Sequence, residues 1–171
     1  RGLFSSEDQD VAIVDIGASS AKLYISRKGL LMRMHRVRAG GAVATKAISD
    51  SLKLSLEEAE LMKCEMEREA DNFTEIKKIH DGCYLRAFRE FGQVIREYES
   101  KTGLTIGNVY LSGGGSLFPG IDIVLRESLE REVWIANPFS KVAYPAFMED
   151  VMDKIGPSFT VAVGAAMRAF D

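Results

Sequence analysis

The chain has 171 residues, 46% hydrophobic and 27% charged, which suits a globular domain large enough for one good core. Its formal charge of -3, with the signs interspersed, leaves no basic stripe for a nucleic acid to follow. No run approaches the ~18 consecutive apolar residues of a spanning helix, and no signal-peptide pattern opens the chain, so direct membrane insertion is not expected.

Residues 1–10 are polar apart from Leu3 and Phe4 and begin without methionine, and they are read as a disordered or truncated start. The stretch from Val11 to Val37 then carries three apolar runs, around Val11 to Val14, Leu23 to Ile25 and Leu30 to Val37. Turn signals at "DIGASS" and "RKG" separate them, which predicts a three-strand meander. The basic cluster "RMHRVR" at 33–38 alternates as the exposed face of the third strand would.

Beyond "AGG" the period changes from two to about 3.6. Val43, Ala47, Ile48 and Leu52 mark one helix face, and Ser55 with Glu58 forms a capping box that starts a second helix near Leu56. The stretch from Asp71 to His80 is polar and read as irregular. Leu85, Phe88, Phe91, Ile95 and Tyr98 then define a long amphipathic helix ending near Gly103.

"VYLSGGGSLFPGI" is a strand, a glycine bend and a helix carrying Ile121, Val124, Leu125 and Leu129. Glycine leaves the peptide groups uncovered, so a flat or anionic ligand could lie on that bend, although a plain connector has the same composition. "EVWIANPF" is a short strand ended at Asn137-Pro138. "YPAFMEDVMDKIG" suggests a short helix with Pro145 in its first turn. A further helix starts at Pro157, with small residues suited to close packing on the sheet. The order of elements is that of an α/β domain with a mixed sheet flanked by helices. Leu3, Phe4, Phe73 and Phe147 read either as packing residues or as an exposed sticky surface.

Cys64 and Cys83 are not in a C-x-x-C arrangement, which suits a reducing compartment, and His35 and His80 lack zinc-ligand spacing. Chemistry is better sought in two further motifs. In "VDIGASSAK", Asp15 ends a strand beside Gly17, Ala18, Ser19 and Ser20, offering a hard carboxylate next to backbone donors and hydroxyls, as magnesium and phosphate require. A hairpin turn would need the same residues. In "EEAELMK", Glu60 and Lys63 share a helix face, suited to ribose hydroxyls and a base edge, or simply to a surface ion pair.

The succession "DIGASS", "AGG", "SLEEAELMK", "LSGGGSLFPGI", "NPF", "PSFTVAVGAAMR" resembles the C-terminal half of bacterial actin-like ATPases over almost the whole chain from Val11 to Phe170. It is most similar to the family of type IV pilus assembly proteins typified by PilM, with the division protein FtsA as a relative. The resemblance implies an actin-like, ribonuclease H-like half. Residues 11–66 and 83–171 would form a nucleotide-binding core equivalent to subdomain IIA, and residues 67–82 a reduced IIB insertion.

It also implies that Asp15 holds magnesium through water and that Gly17, Ala18, Ser19 and Ser20 face the β- and γ-phosphates. Gly40 and Gly41 would border the cleft, Glu60 and Lys63 would meet ribose and adenine, and Gly113, Gly114, Gly115 and Leu117 would make room for the nucleoside. ATP and Mg are the cofactors implied, bound weakly or not at all by the isolated half, with any ATPase activity confined to the intact parent. Compared with the fuller "DIGGGTTD" of relatives, Ala18 replaces a glycine and Lys22 stands near the expected acid, and the first phosphate motif is missing from this chain. A cytoplasmic scaffold is implied, peripheral to the inner membrane through a PilN-type partner bound by the missing half, with self-association as a further expectation. The alternatives are a division filament protein of FtsA type and a kinase on the same ATPase core.

Overall fold

The computed structural model describes residues 10–68 and 70–167, without the Lys141 side chain. The readings of residues 1–9 and of Phe170 lie outside the described residues.

The three predicted strands form as β1 (Asp10–Ile16), β2 (Ala21–Arg27) and β3 (Leu30–Val37), an antiparallel meander in which Asp15 stands opposite Lys22. Strands β4 (Asn108–Ser112) and β5 (Val133–Ile135) add to it in parallel, giving the order β3-β2-β1-β4-β5. Alternation sends Val14, Ile16, Leu23, Ile25 and Leu111 to one face. There they form the main core with Phe88, Phe91 and Ile95 of α4 (Leu85–Thr102) and Leu125 of α5 (Ile121–Leu129). Gly103 closes α4 in the left-handed conformation, so the predicted stop is the observed one. Glu90 and Glu97 of α4 reach His35 and Arg33 of the edge strand β3, so part of its basic cluster is paired. Leu30 and Leu31 remain exposed.

A second, smaller core joins α1 (Gly41–Leu52), α2 (Leu56–Cys64) and α3 (Phe73–Gly82) through Ile48, Ala59, Met66, Ile76 and Phe118. The capping box is present: Ser55 accepts from the Glu58 amide at 3.2 Å and the Glu58 carboxylate accepts from the Ser55 amide at 2.8 Å.

Three expectations are corrected. The polar stretch from Asp71 to His80 is mostly helix α3, held because Ile76 and His80, four residues apart, are both buried, while Glu75 and Lys78 are exposed and Lys77 pairs with Asp81. The buried stripe of α1 is Ala44, Thr45, Ile48 and Ser49, and Val43 is exposed, because the helix presents small polar side chains to α2. Finally, no break occurs at Pro157. A 3₁₀ turn at Ala146–Met148 runs into a single helix, α6 (Glu149–Met167), with the proline inside it.

A proline there costs the helix one internal hydrogen bond. Docking offsets this: Gly156 and Pro157 are the buried residues of α6, and the Pro157 carbonyl accepts from the Gly113 amide at 2.9 Å. The small residues beyond Pro157 are largely exposed instead of pressed on the sheet, with Val161 71% exposed. Phe147 is 85% exposed, so it is no packing residue, whereas Phe73 packs against the second core.

Candidate functional site

Because β1 and β4 run parallel, their carboxyl ends lie side by side, Asp15 opposite Ser112. The turn after β1 and the glycine bend after β4 are thereby brought to one end of the sheet, where open α/β sheets take ligands. The turn closes with Gly17 N donating to Ser20 O at 3.0 Å. It is stapled to the start of α1, since the amides of Gly41 and Ala42 donate to the carbonyls of Gly17 and Ala18 at 3.0 and 2.8 Å. Gly40 is required by this contact: a Cβ there would run into the backbone of Ala18, Ser19 and Ser20.

A cavity of about 560 Å³ opens between the turn, the bend and the helices. Gly17, Ala18, Gly41 and Ala42 line one side, and Gly114, Gly115, Leu117, Phe118 and Pro119 line another. Glu60, Lys63 and Cys64 come from α2, and His80 and Tyr84 close the rest. Eight of the residues singled out in the sequence therefore share one hollow: Gly17, Ala18, Gly41, Glu60, Lys63, Gly114, Gly115 and Leu117. Asp15, Ser19, Ser20, Gly40 and Gly113 do not line it.

Of these, Ser20, Gly40 and Gly113 are buried and Ser19 is exposed. Gly113 has φ +86°, and a side chain there would strike the Ile16 carbonyl and come within 2.5 Å of Asp15 Oδ1. A side chain on Gly115 would strike that of Ile16. What presses on the bend at both positions is the neighbouring strand end. Asp15, with its side chain only 13% exposed, holds its other oxygen 3.7 Å from Lys22 Nζ.

The α2 pair is tightly organised. Lys63 Nζ donates to Glu60 Oε2 (2.7 Å), Thr45 Oγ1 (2.8 Å) and the Gly41 carbonyl (3.2 Å), so all three of its protons have acceptors. Thr45 Oγ1 also contacts Glu60 Oε2, and the Cys64 thiol donates to Glu60 Oε1 at 3.4 Å. Burial works against ionisation of Glu60, yet the hydrogen bonds from Lys63, Thr45 and Cys64 prevail and hold its carboxyl below the usual range. Burial and then the adjacent Glu60 push the Cys64 thiol up, which keeps it protonated.

Sequence reasoning missed Thr45, Cys64, His80, Tyr84 and Phe118. His80 stacks on Phe118 with ring centroids 3.6 Å apart and planes 14° apart, and Tyr84 lies 5.0 Å from His80. Burial lowers the His80 pKa against the pull of Asp81, leaving a neutral ring. The signal available was the four-residue spacing of Ile76 and His80, one face of helix α3 where polarity had suggested a loop, with Tyr84 following just beyond the helix end.

The sheet order, the paired strand ends and the cleft beside them are those of the actin-like ATPase fold. A family profile described as "Type IV pilus assembly protein PilM" matches residues 4–170, and the chain belongs to that family. A solved structure described as "PilM-PilN type IV pilus biogenesis complex" superposes with a TM-score of 0.80 at 26% identity, over 96% of this chain and 47% of that one. The cell division protein FtsA of Bacillus subtilis (strain 168) is 27% identical over 162 residues, 82% of this chain and 37% of that protein. MreB5 of Spiroplasma citri, solved bound to ADP, shares the fold with a TM-score of 0.68 at 15% identity, over 97% of this chain and 55% of that chain. The chain thus spans less than half the length of its pilus and division relatives. Among the described residues, no helix is long and apolar enough to cross a membrane.

Proposed function

We propose that this chain is the nucleotide-binding half of an actin-like scaffold for type IV pilus assembly, with an adenine nucleotide seated in the cavity at the ends of β1 and β4. The observation that carries this reading is the convergence of Gly17 and Ala18, Glu60 and Lys63, and Gly114 and Gly115 on one hollow of about 560 Å³, a volume that suits a nucleoside. Gly17 to Ser20 face the phosphates, Gly40 and Gly41 border the cleft, Glu60 takes the ribose, and the Gly113 to Gly115 bend with Leu117 flanks the base. The ADP in the MreB5 structure of the same fold supports this assignment.

Magnesium is held by Asp15 through water. A single, largely buried carboxylate fits that mode, because the ion keeps most of its water shell and takes its remaining ligands from phosphate. Lys22 competes for the same carboxylate. The core comprises residues 11–66 and 83–171, with 67–82 as a reduced IIB-like insertion whose Ile76 packs in the second hydrophobic cluster with Ile48, Ala59, Met66 and Phe118. In the longer parent, a PilN-type inner-membrane protein docks through the other half and places the scaffold at the cytoplasmic side of that membrane, a reading supported by the superposed PilM-PilN complex. Hydrolysis requires the other half. The similarity to FtsA keeps a self-associating filament protein as the second reading.

Half a nucleotide site binds weakly, since the ordering costs remain while about half the contacts are absent. Titration of the 15N-labelled chain with ADP to millimolar concentration should shift the amides of Gly17, Ala18, Gly41, Gly114 and Gly115. Shifts confined to other surfaces, or none, would overturn the site. Submicromolar affinity by calorimetry would overturn the half-site argument.

A further inference from the structure

The cavity wall carries a carboxylate whose two oxygens are unequally engaged. Glu60 lines the hollow with half of its side chain exposed. Its Oε2 is met by Thr45 Oγ1 and by Lys63 Nζ at 2.7 Å, whereas its Oε1 receives only the Cys64 thiol at 3.4 Å. A carboxylate accepts about four hydrogen bonds and a thiol is a weak donor, so the unused capacity is concentrated on Oε1.

Thr45 fixes this asymmetry. It is buried, 6% exposed, and does not line the cavity. Its hydroxyl accepts from Lys63 Nζ at 2.8 Å and faces two acceptors, Glu60 Oε2 and the Gly41 carbonyl at 2.9 Å. A hydroxyl has one proton to give, and the ionised carboxylate is the stronger acceptor, so the proton goes to Glu60. Lys63 lines the cavity and could touch a ligand directly, whereas Thr45 acts on one only through the carboxylate.

We infer that Thr45 is a positioning residue: it holds Oε2 of Glu60 inward, so that Oε1 is set in advance as the acceptor for a ribose hydroxyl of the bound nucleotide. This rests on the nucleotide reading of the cavity, with Glu60 at the ribose, and adds the residue that aims the carboxylate. A half-exposed glutamate free to rotate has to be ordered at each binding event, and the clamp removes that cost. A ligand without ribose hydroxyls gains nothing from it, so the clamp acts on selectivity.

The test is an NMR titration of the full 171-residue chain with ADP and with 2′,3′-dideoxy-ADP, which lacks both hydroxyls. Wild-type protein should hold ADP about tenfold tighter, as for one hydrogen bond to a charged group. Thr45→Val should narrow that ratio to about twofold through loss of ADP affinity alone, and Thr45→Ser, which restores the hydroxyl, should recover it. Thr45→Ala, which relieves any crowding by the extra methyl, reads the same ratio. Glu60→Ala should abolish the preference, and adding Thr45→Val to it should change nothing further, because the threonine acts through the glutamate. Equal losses for both probes in the Thr45 variants would make the threonine merely structural and overturn the inference, as would an unaltered ratio or additive effects in the double variant. Wild-type protein that binds both probes equally would overturn it while leaving the nucleotide cavity standing. Wild-type protein that binds neither would remove the nucleotide reading and this inference together.

Discussion

Lys63 directs its whole ammonium into the protein, bridging α2 to the first turn of α1. Removing it leaves Glu60, Thr45 and the Gly41 carbonyl without their shared donor. Lys63→Met should therefore destabilise the chain by about 1–2 kcal/mol, read as a lower urea midpoint with unchanged m-value. The sequence placed Glu60 and Lys63 on one face correctly, but Thr45, 15 and 18 positions away, enters only through the packing of two helices. His80 brings a pH dependence. Its folded pKa is depressed by burial, so below about pH 6.5 the unfolded chain takes up a proton that the folded chain refuses. Stability should fall as pH drops through that window, and His80→Asn should flatten this part of the profile. The lowered pKa of Glu60 acts separately, removing stability only as the medium becomes acid enough to protonate carboxylates.

Helix α2 shows how local code suffices where the signals are side chain to backbone. Ser55 and Glu58 announce its start, and the same two groups close the capping box. Ser55→Ala should cost about 1 kcal/mol, measurable by chemical denaturation. The long helix α4 was equally legible because its apolar period persists along its whole length, and Phe91→Ala, in the middle of the main core, should cost about 3–5 kcal/mol. Helices α3 and α6 were not legible, for different reasons. In α3 the buried face is two side chains wide and one of them is histidine, so composition argued for a loop. In α6 the break expected at Pro157 is overruled by a long-range contact, the Gly113 amide on the proline carbonyl, which no local pattern encodes.

For the molecule as a whole, the meander and a mixed sheet flanked by helices were legible in the order of elements, while the parallel pairing of β4 with β1 and β5 came only with the structure. What did not follow was the reason for the glycines. Gly113 and Gly115 are dictated by the neighbouring strand end, and Gly114 and Gly115 together form cavity wall. Gly113→Ala combines a left-handed backbone with a steric clash and should lower stability by at least about 2 kcal/mol, seen as a depressed melting temperature. By contrast, the edge strand β3 offers Leu31 to solvent, 61% exposed. Leu31→Lys should leave the melting temperature almost unchanged while raising solubility, because a charge on an open edge discourages intermolecular pairing.

The bond from Gly113 to Pro157 also has a mechanical meaning. It fastens the middle of the nineteen-residue helix α6 to the glycine bend beside the cavity at 2.9 Å. Any displacement of α6 would therefore pull on the bend whose next two residues, Gly114 and Gly115, form cavity wall.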